Sequence, residues 1–183
     1  IDNLAGLYKE VGDYGKAGDL LRYAYQEKLK RLNTGNPGIF ISEILLGQHY
    51  NSIHEYDSAL IYLTRGLEKL EKTEGDYLFW AGDAHYNLAM VFANRKETAK
   101  ATYYYEKAEA YFKKSKELWE SKAPEHPNYP ISINSLAVLY TNIGDYKKSE
   151  YSYLNYLKMV FAILIASINA SLSNPCSIFL LSK

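Results

Sequence analysis

The side chains best suited to chemistry are four histidines and one cysteine, and their spacing argues against both catalysis and metal binding. His49 and His54 stand five residues apart, which misses the i, i+4 face that two helical imidazoles need to share a metal. His85 pairs only loosely with Asp83, and His126 lies in a linker flanked by Pro124 and Pro130. Cys176 is the single cysteine, so neither an internal disulfide nor a cysteine-clustered zinc site can form, and no nucleophile signature surrounds it. No glycine-rich phosphate loop is present. Asn169-Ala170-Ser171 matches the glycosylation tripeptide, a pattern too short to carry weight by itself. The expectation is a chain with no catalytic residue, no metal and no cofactor, whose cysteine usage suits a reducing, cytoplasmic compartment.

Such a chain must work through its surface, and composition limits what that surface meets. The 183 residues carry 21 basic and 21 acidic side chains, a net charge of zero that argues against nucleic acid as partner. With 48% apolar residues, 11 Gly and 5 Pro, the chain can bury a core, and the disordered, collagen-like and low-complexity classes are excluded. Ile1 opens directly into a periodic segment without an initiating Met or a signal peptide, so the sequence reads as a fragment of something longer.

The elements that position this surface come from an internal repeat. Leu4-Ala5, Leu46-Gly47, Leu88-Ala89 and Leu136-Ala137 each set a Leu beside a small residue, at separations of 42, 42 and 48 residues. Four residues after each Leu stands an aromatic ring: Tyr8, Tyr50, Phe92 and Tyr140. A polar turn follows in register: Gly12-Asp13-Tyr14, His54-Glu55-Tyr56, Lys96-Glu97-Thr98 and Gly144-Asp145-Tyr146. Beyond it come two further columns, Ala17, Ala59, Ala101 and Ser149, then Ala24, Gly66, Ala108 and Tyr156. A Leu and an aromatic at i, i+4 define one buried stripe of a first helix, and small residues let a second helix approach it. The pattern predicts first helices near 1–12, 38–53, 77–95 and 129–143, and second helices near 14–32, 56–73, 98–121 and 146–166, with no strands. Breakers separate the units at Gly35-Asn36-Pro37-Gly38, at Thr73-Glu74-Gly75-Asp76 and between Pro124 and Pro130.

These Leu-small, aromatic, Gly-Asp-Tyr and Ala columns resemble tetratricopeptide repeats (TPR). The longer period, with Glu125-His126-Pro127-Asn128-Tyr129 leading into Leu136-Ala137 and Gly144-Asp145-Tyr146, is similar to the 42-residue subtype of kinesin light chains and of bacterial arrays that accompany a caspase-like CHAT domain. The resemblance implies an all-α right-handed superhelical solenoid of four antiparallel helix pairs over residues 1–160, with repeats at about 1–37, 38–76, 77–127 and 128–160. It departs from the family pattern at His54, where Gly is usual, at Thr98, where Tyr is usual, and at Tyr156, where a small residue is usual and a ring could cover the end of the array.

In that family the concave groove is lined by first-helix side chains, and the matching positions here are mostly amides. The resemblance therefore implies a peptide-binding concave face formed by Asn3, Gln48, Asn51, Asn87, Asn94, Asn134 and Asn142. An amide both donates and accepts, so such a trough can hold the backbone of an extended peptide whatever its side chains. The competing reading is that these amides satisfy helix ends. A clamp for a C-terminal carboxylate is not expected, because only Lys9 and Arg95 supply cations near the groove. The 19 tyrosines, including Tyr103-Tyr104-Tyr105 and Tyr151-Ser152-Tyr153, are expected to pack between helices, not to stack on bases.

Residues 161–183 form a tail of different composition, since no charged residue stands between Met159 and Ser182. Ser167, Asn169, Ser171, Ser173, Asn174 and Pro175 interrupt it, which makes a membrane span unfavourable; a non-native end and a capping segment are the other readings. The expected function is a protein-protein interaction scaffold that binds an extended peptide of a partner, or of another domain of the parent chain. The alternative is a regulatory TPR fragment of a larger enzyme such as a CHAT-type caspase-like protease. A purely structural spacer is a third possibility.

Overall fold

The computed structural model describes residues 1–73 and 77–172, with side chains through residue 169. The expected turn residues Glu74 to Asp76, and the end of the tail with Cys176, lie outside the described residues. The described residues form eight α-helices: α1 (Asp2–Glu10), α2 (Tyr14–Arg31), α3 (Pro37–Ser52), α4 (Tyr56–Leu70), α5 (Leu78–Asn94), α6 (Thr98–Lys122), α7 (Asn128–Asn142) and α8 (Tyr146–Leu172). Each boundary falls within a few residues of the periodicity-based expectation except the end of α8. That helix runs on as one piece across the point where the composition changes.

The chain divides into two compact units, residues 1–112 and 113–183. In the first, α2 packs on α1, α3 on α2, α4 on α3 and α5 on both α4 and α3. The small positions of the repeat supply the close approaches: Ala17 and Ala59 are fully buried, and Gly47 and Gly66 sit where α3 and α4 cross. Ile44, Leu46, Leu63 and Leu88 fill the core, each contributing on the order of 1.5–3 kcal/mol by burial. In the second unit α7 and α8 form the hairpin, with Leu136, Ala137, Leu139 and Tyr140 buried. A buried Ser115 to Ser132 hydroxyl contact of 2.8 Å joins α6 to α7 there. One Leu column member departs from its expected burial: Leu4 is 46% exposed, since α1 packs only on α2 among the described helices.

The four hairpin turns share one hydrogen-bonding scheme. In each, the residue after the polar turn position donates back to the aromatic column: Asp13 to Tyr8, Glu55 to Tyr50, Glu97 to Phe92 and Asp145 to Tyr140, at 2.8–2.9 Å. This closure requires a left-handed residue just before it, and Gly12 and Gly144 adopt φ of 80°. The second and third repeats reach the same conformation without glycine, with His54 at φ 64° and Lys96 at φ 62°. A Cβ in that region costs about 1 kcal/mol. Lys96→Gly is therefore expected to raise stability by about 0.5–1 kcal/mol, read as a higher midpoint in urea titration; an unchanged or lower midpoint would contradict the assignment.

Candidate functional site

The amides do not act as one row of free donors and acceptors. Five of the expected residues, Asn3, Gln48, Asn51, Asn87 and Asn94, belong to the first unit, and Asn134 and Asn142 belong to the second. Asn3, Asn94 and Asn142 are exposed near helix ends, and Asn134 is half-buried on α7. Asn142 donates to the Val138 carbonyl at 3.1 Å, one turn back on its own helix.

Within residues 1–112, Gln48 and Asn87 meet a residue that the repeat pattern did not single out as a site. Gln48 on α3 donates its amide N–H to Asp83 Oδ2 on α5. Asn87, one turn after Asp83, donates to the Asp83 carbonyl at 2.8 Å and to its carboxylate at 3.4 Å. Burial pushes the Asp83 carboxyl up to about 7, against the pull of the Lys9 ammonium and the Gln48 hydrogen bond. Lys9, on α1, is moved the other way: burial lowers it, and the Asp83 charge partly restores it. The Asn51 side-chain oxygen is buried without a hydrogen-bond partner among the described residues. Asp83 and His85, a loose pair by sequence, diverge because positions two apart on a helix do not share a face.

His85 turns to the second-helix side. Its Nε2 lies 3.2 Å from Glu71, the same carboxylate oxygen receives the Tyr111 hydroxyl at 2.8 Å, and the Tyr111 ring stacks on the imidazole at 5.2 Å. Burial depresses the His85 pKa, with Glu71 opposing, and the Tyr111 hydroxyl is pushed up to about 12 by burial and by Glu71. His49 is also buried, and its pKa is lowered by burial and by the Arg22 and Lys9 charges. His126 stacks on Trp119 at 3.8 Å, and its Nδ1 accepts the Asn128 N–H at 3.2 Å, which ties the linker to the start of α7. The imidazoles thus have company that spacing did not reveal, and it is packing company. Among the described residues no group of three or more His, Cys, Asp or Glu side chains is arranged to hold a metal ion.

The tyrosines divide similarly. Tyr104 stacks on Phe92 at 5.3 Å and Tyr105 donates to Met90 sulfur, as inter-helix packing requires. Tyr103 is 52% and Tyr151 70% exposed, contrary to the expectation for those runs, because consecutive helical positions cannot all face a neighbour. Tyr156 is half-buried.

Asp83 gives this face a pH dependence. Because its folded pKa lies above that of an unfolded aspartate, the folded chain retains a proton between about pH 4 and 7 that the unfolded chain has released. The associated stability is greatest below this window and is lost as pH rises through 7. Asp83→Asn is expected to raise the thermal midpoint at pH 8 and to change it much less at pH 5. Equal shifts at both pH values in melting experiments would contradict the burial of this carboxyl.

No protein-family model and no curated protein sequence matches the chain. Solved structures do. BtubC (BKLC) from P. vanneervenii superposes with a TM-score of 0.55 at 17% identity, over 88% of this chain and 62% of that one. Two structures of a kinesin light chain with nearly identical TPR-like repeats from Podosopora anserina give TM-scores of 0.52 and 0.51 at 17% and 15% identity. They cover 91% and 86% of this chain and 94% and 92% of theirs. The chain therefore spans about three-fifths of the length of BtubC and nearly the whole of the Podosopora anserina repeats. At these identities the likeness establishes the fold alone: an all-α, TPR-like helical repeat.

Proposed function

We propose that this helical-repeat scaffold is a non-catalytic interaction module that binds an extended peptide, from a partner or from elsewhere in its parent protein, along the first-helix face of residues 1–112. The observation that carries this reading is unmet acceptor capacity. Asn51 holds a buried oxygen without a partner among the described residues, and the N–H groups of Gln48 and Asn87 are engaged by Asp83, which leaves their side-chain oxygens to accept. Acceptors on successive first helices suit the N–H groups of an extended backbone, so the trough is richer in acceptors than the amide pattern alone implied. Neutral overall charge supports a protein over a nucleic acid partner, and a single cysteine is consistent with a reducing, cytoplasmic setting.

Calorimetric titration of a peptide selected from a display library tests the reading. Asn51→Ala and Asn87→Ala are each expected to weaken binding by about 0.5–1.5 kcal/mol, Asn94→Ala by less, with little change in melting temperature. Affinity should fall only modestly from low to moderate salt, since the contact is not built on lysine or arginine. Variants that stay folded and bind normally would move the interface elsewhere, and binding loss that tracks unfolding would make these amides structural.

A further inference from the structure

An exposed apolar surface lies on the C-terminal half of α8. This helix has 27 residues against 15 for its hairpin partner α7, so at 1.5 Å per residue it reaches about 18 Å further. Its buried side, Ser149 and Ser152, packs within the second unit. The opposite side carries Leu154, Leu157, Phe161, Leu164 and Ile168, each between 47% and 59% exposed. Their spacing of three, four, three and four residues is that of alternating a and d positions in a heptad, which keeps one seam facing a second helix. Exposed Ile165 and Val160 flank the seam.

We infer that this seam is a self-association site, at which α8 pairs antiparallel with α8 of a second copy of the chain. The pattern favours a helix over a lipid surface, although the helix is long and apolar enough to cross a membrane by length and composition. A span needs about 20 largely apolar residues, whereas the apolar run of α8 that follows Lys158 is broken by Ser167, Asn169 and Ser171. No charge follows Lys158 in α8, so nothing along the distal seam repels its own copy.

Charge also fixes the orientation. One heptad before Leu154 and Leu157, the same columns hold Lys147 and Glu150. Parallel pairing would set Lys147 against its own copy and Glu150 against its own copy at seam positions, both unfavourable. Antiparallel pairing removes those like-charge contacts and sets Phe161 against Leu164 of the partner subunit and Leu157 against Ile168 of the partner subunit. Seven half-exposed apolar side chains on each copy would remove roughly 1,000–1,200 Å² in total, at the lower edge of what a specific dimer buries.

The test uses the full chain in sedimentation velocity across a micromolar concentration series. A dimer is expected, with Leu157→Glu combined with Leu164→Glu reducing it to monomer while leaving the far-ultraviolet circular dichroism unchanged. Ile168→Lys, at a position beyond the reach of α7, is expected to weaken the dimer at least tenfold and guards against a double variant that fails to fold. With Cys176→Ser as background, Leu157→Cys combined with Ile168→Cys should cross-link between copies, and Lys147→Cys alone should not. A monomer at every concentration, or a dimer indifferent to all of these seam changes, would overturn the proposal. Cross-linking through Lys147→Cys would overturn the antiparallel arrangement. A monomer that floats with phosphatidylcholine vesicles would assign the seam to lipid instead.

Discussion

Replacing Gly66 by alanine is expected to cost the fold on the order of 2–4 kcal/mol, while the same replacement at Gly6 raises stability by about 0.5–1 kcal/mol. A Cβ on Gly66 would lie 2.8 Å from the Phe40 carbonyl oxygen and 3.2 Å from Glu43 Cβ. The first of these is backbone of the neighbouring helix, so relief requires α3 and α4 to move apart, and with them Ile44 and Leu63, both fully buried. Gly6 lies inside α1 with nothing within 4 Å of the position a Cβ would take. Alanine there meets no obstacle and removes backbone freedom from the unfolded chain. Denaturant midpoints of the two variants measure both effects, and shifts of the same sign would refute the α3 to α4 packing described above.

Arg65→Met is expected to destabilise by on the order of 2–4 kcal/mol and Glu43→Gln by clearly less, although the two residues form one ion pair. The asymmetry follows from burial. Glu43 is 1% exposed, whereas the side chains of Arg65 and Lys69 are 41% and 43% exposed. One Glu43 oxygen lies 2.8 Å from Arg65 Nε, 3.4 Å from Lys69 Nζ and 3.0 Å from the Tyr25 hydroxyl that donates to it; the other is buried without a partner among the described residues. Loss of Arg65 leaves a carboxylate in the interior with one weaker cation, whereas loss of the Glu43 charge frees two cations that already reach water. The same comparison in urea titrations decides it: equal destabilisation would mean that Glu43 draws its compensation from Tyr25 and Lys69, not chiefly from Arg65.

The helical-repeat architecture was legible before any coordinates. A Leu and an aromatic ring four apart, recurring with a polar turn and two small columns, leave one consistent solution, since only a helical period puts those residues on one stripe. The turns were legible as well, including His54 in place of glycine, whereas the structure added that Lys96 takes the same left-handed conformation, which the hydrogen bonds that close the hairpin demand. The candidate site was only half legible. The amides at Gln48, Asn51 and Asn87 could be placed on first helices by register, but Asp83 could not be joined to them, because its partners are 35 residues away on α3 and one turn ahead on α5.

What periodicity determined here is which face of each helix is buried, because that depends on the order of apolar and polar residues along a single helix. Only the tertiary structure decided which polar groups meet between helices. Glu43 collects Tyr25, Arg65 and Lys69 from α2 and α4, and His85 collects Glu71 and Tyr111 from α4's end and α6. It also showed that α8 outruns α7 and leaves its heptad seam open. The reason is physical: hydrophobic burial is non-directional and can be read from a one-dimensional pattern, whereas hydrogen bonds and ion pairs need particular atoms within about 3 Å, and the helix crossings alone supply that proximity.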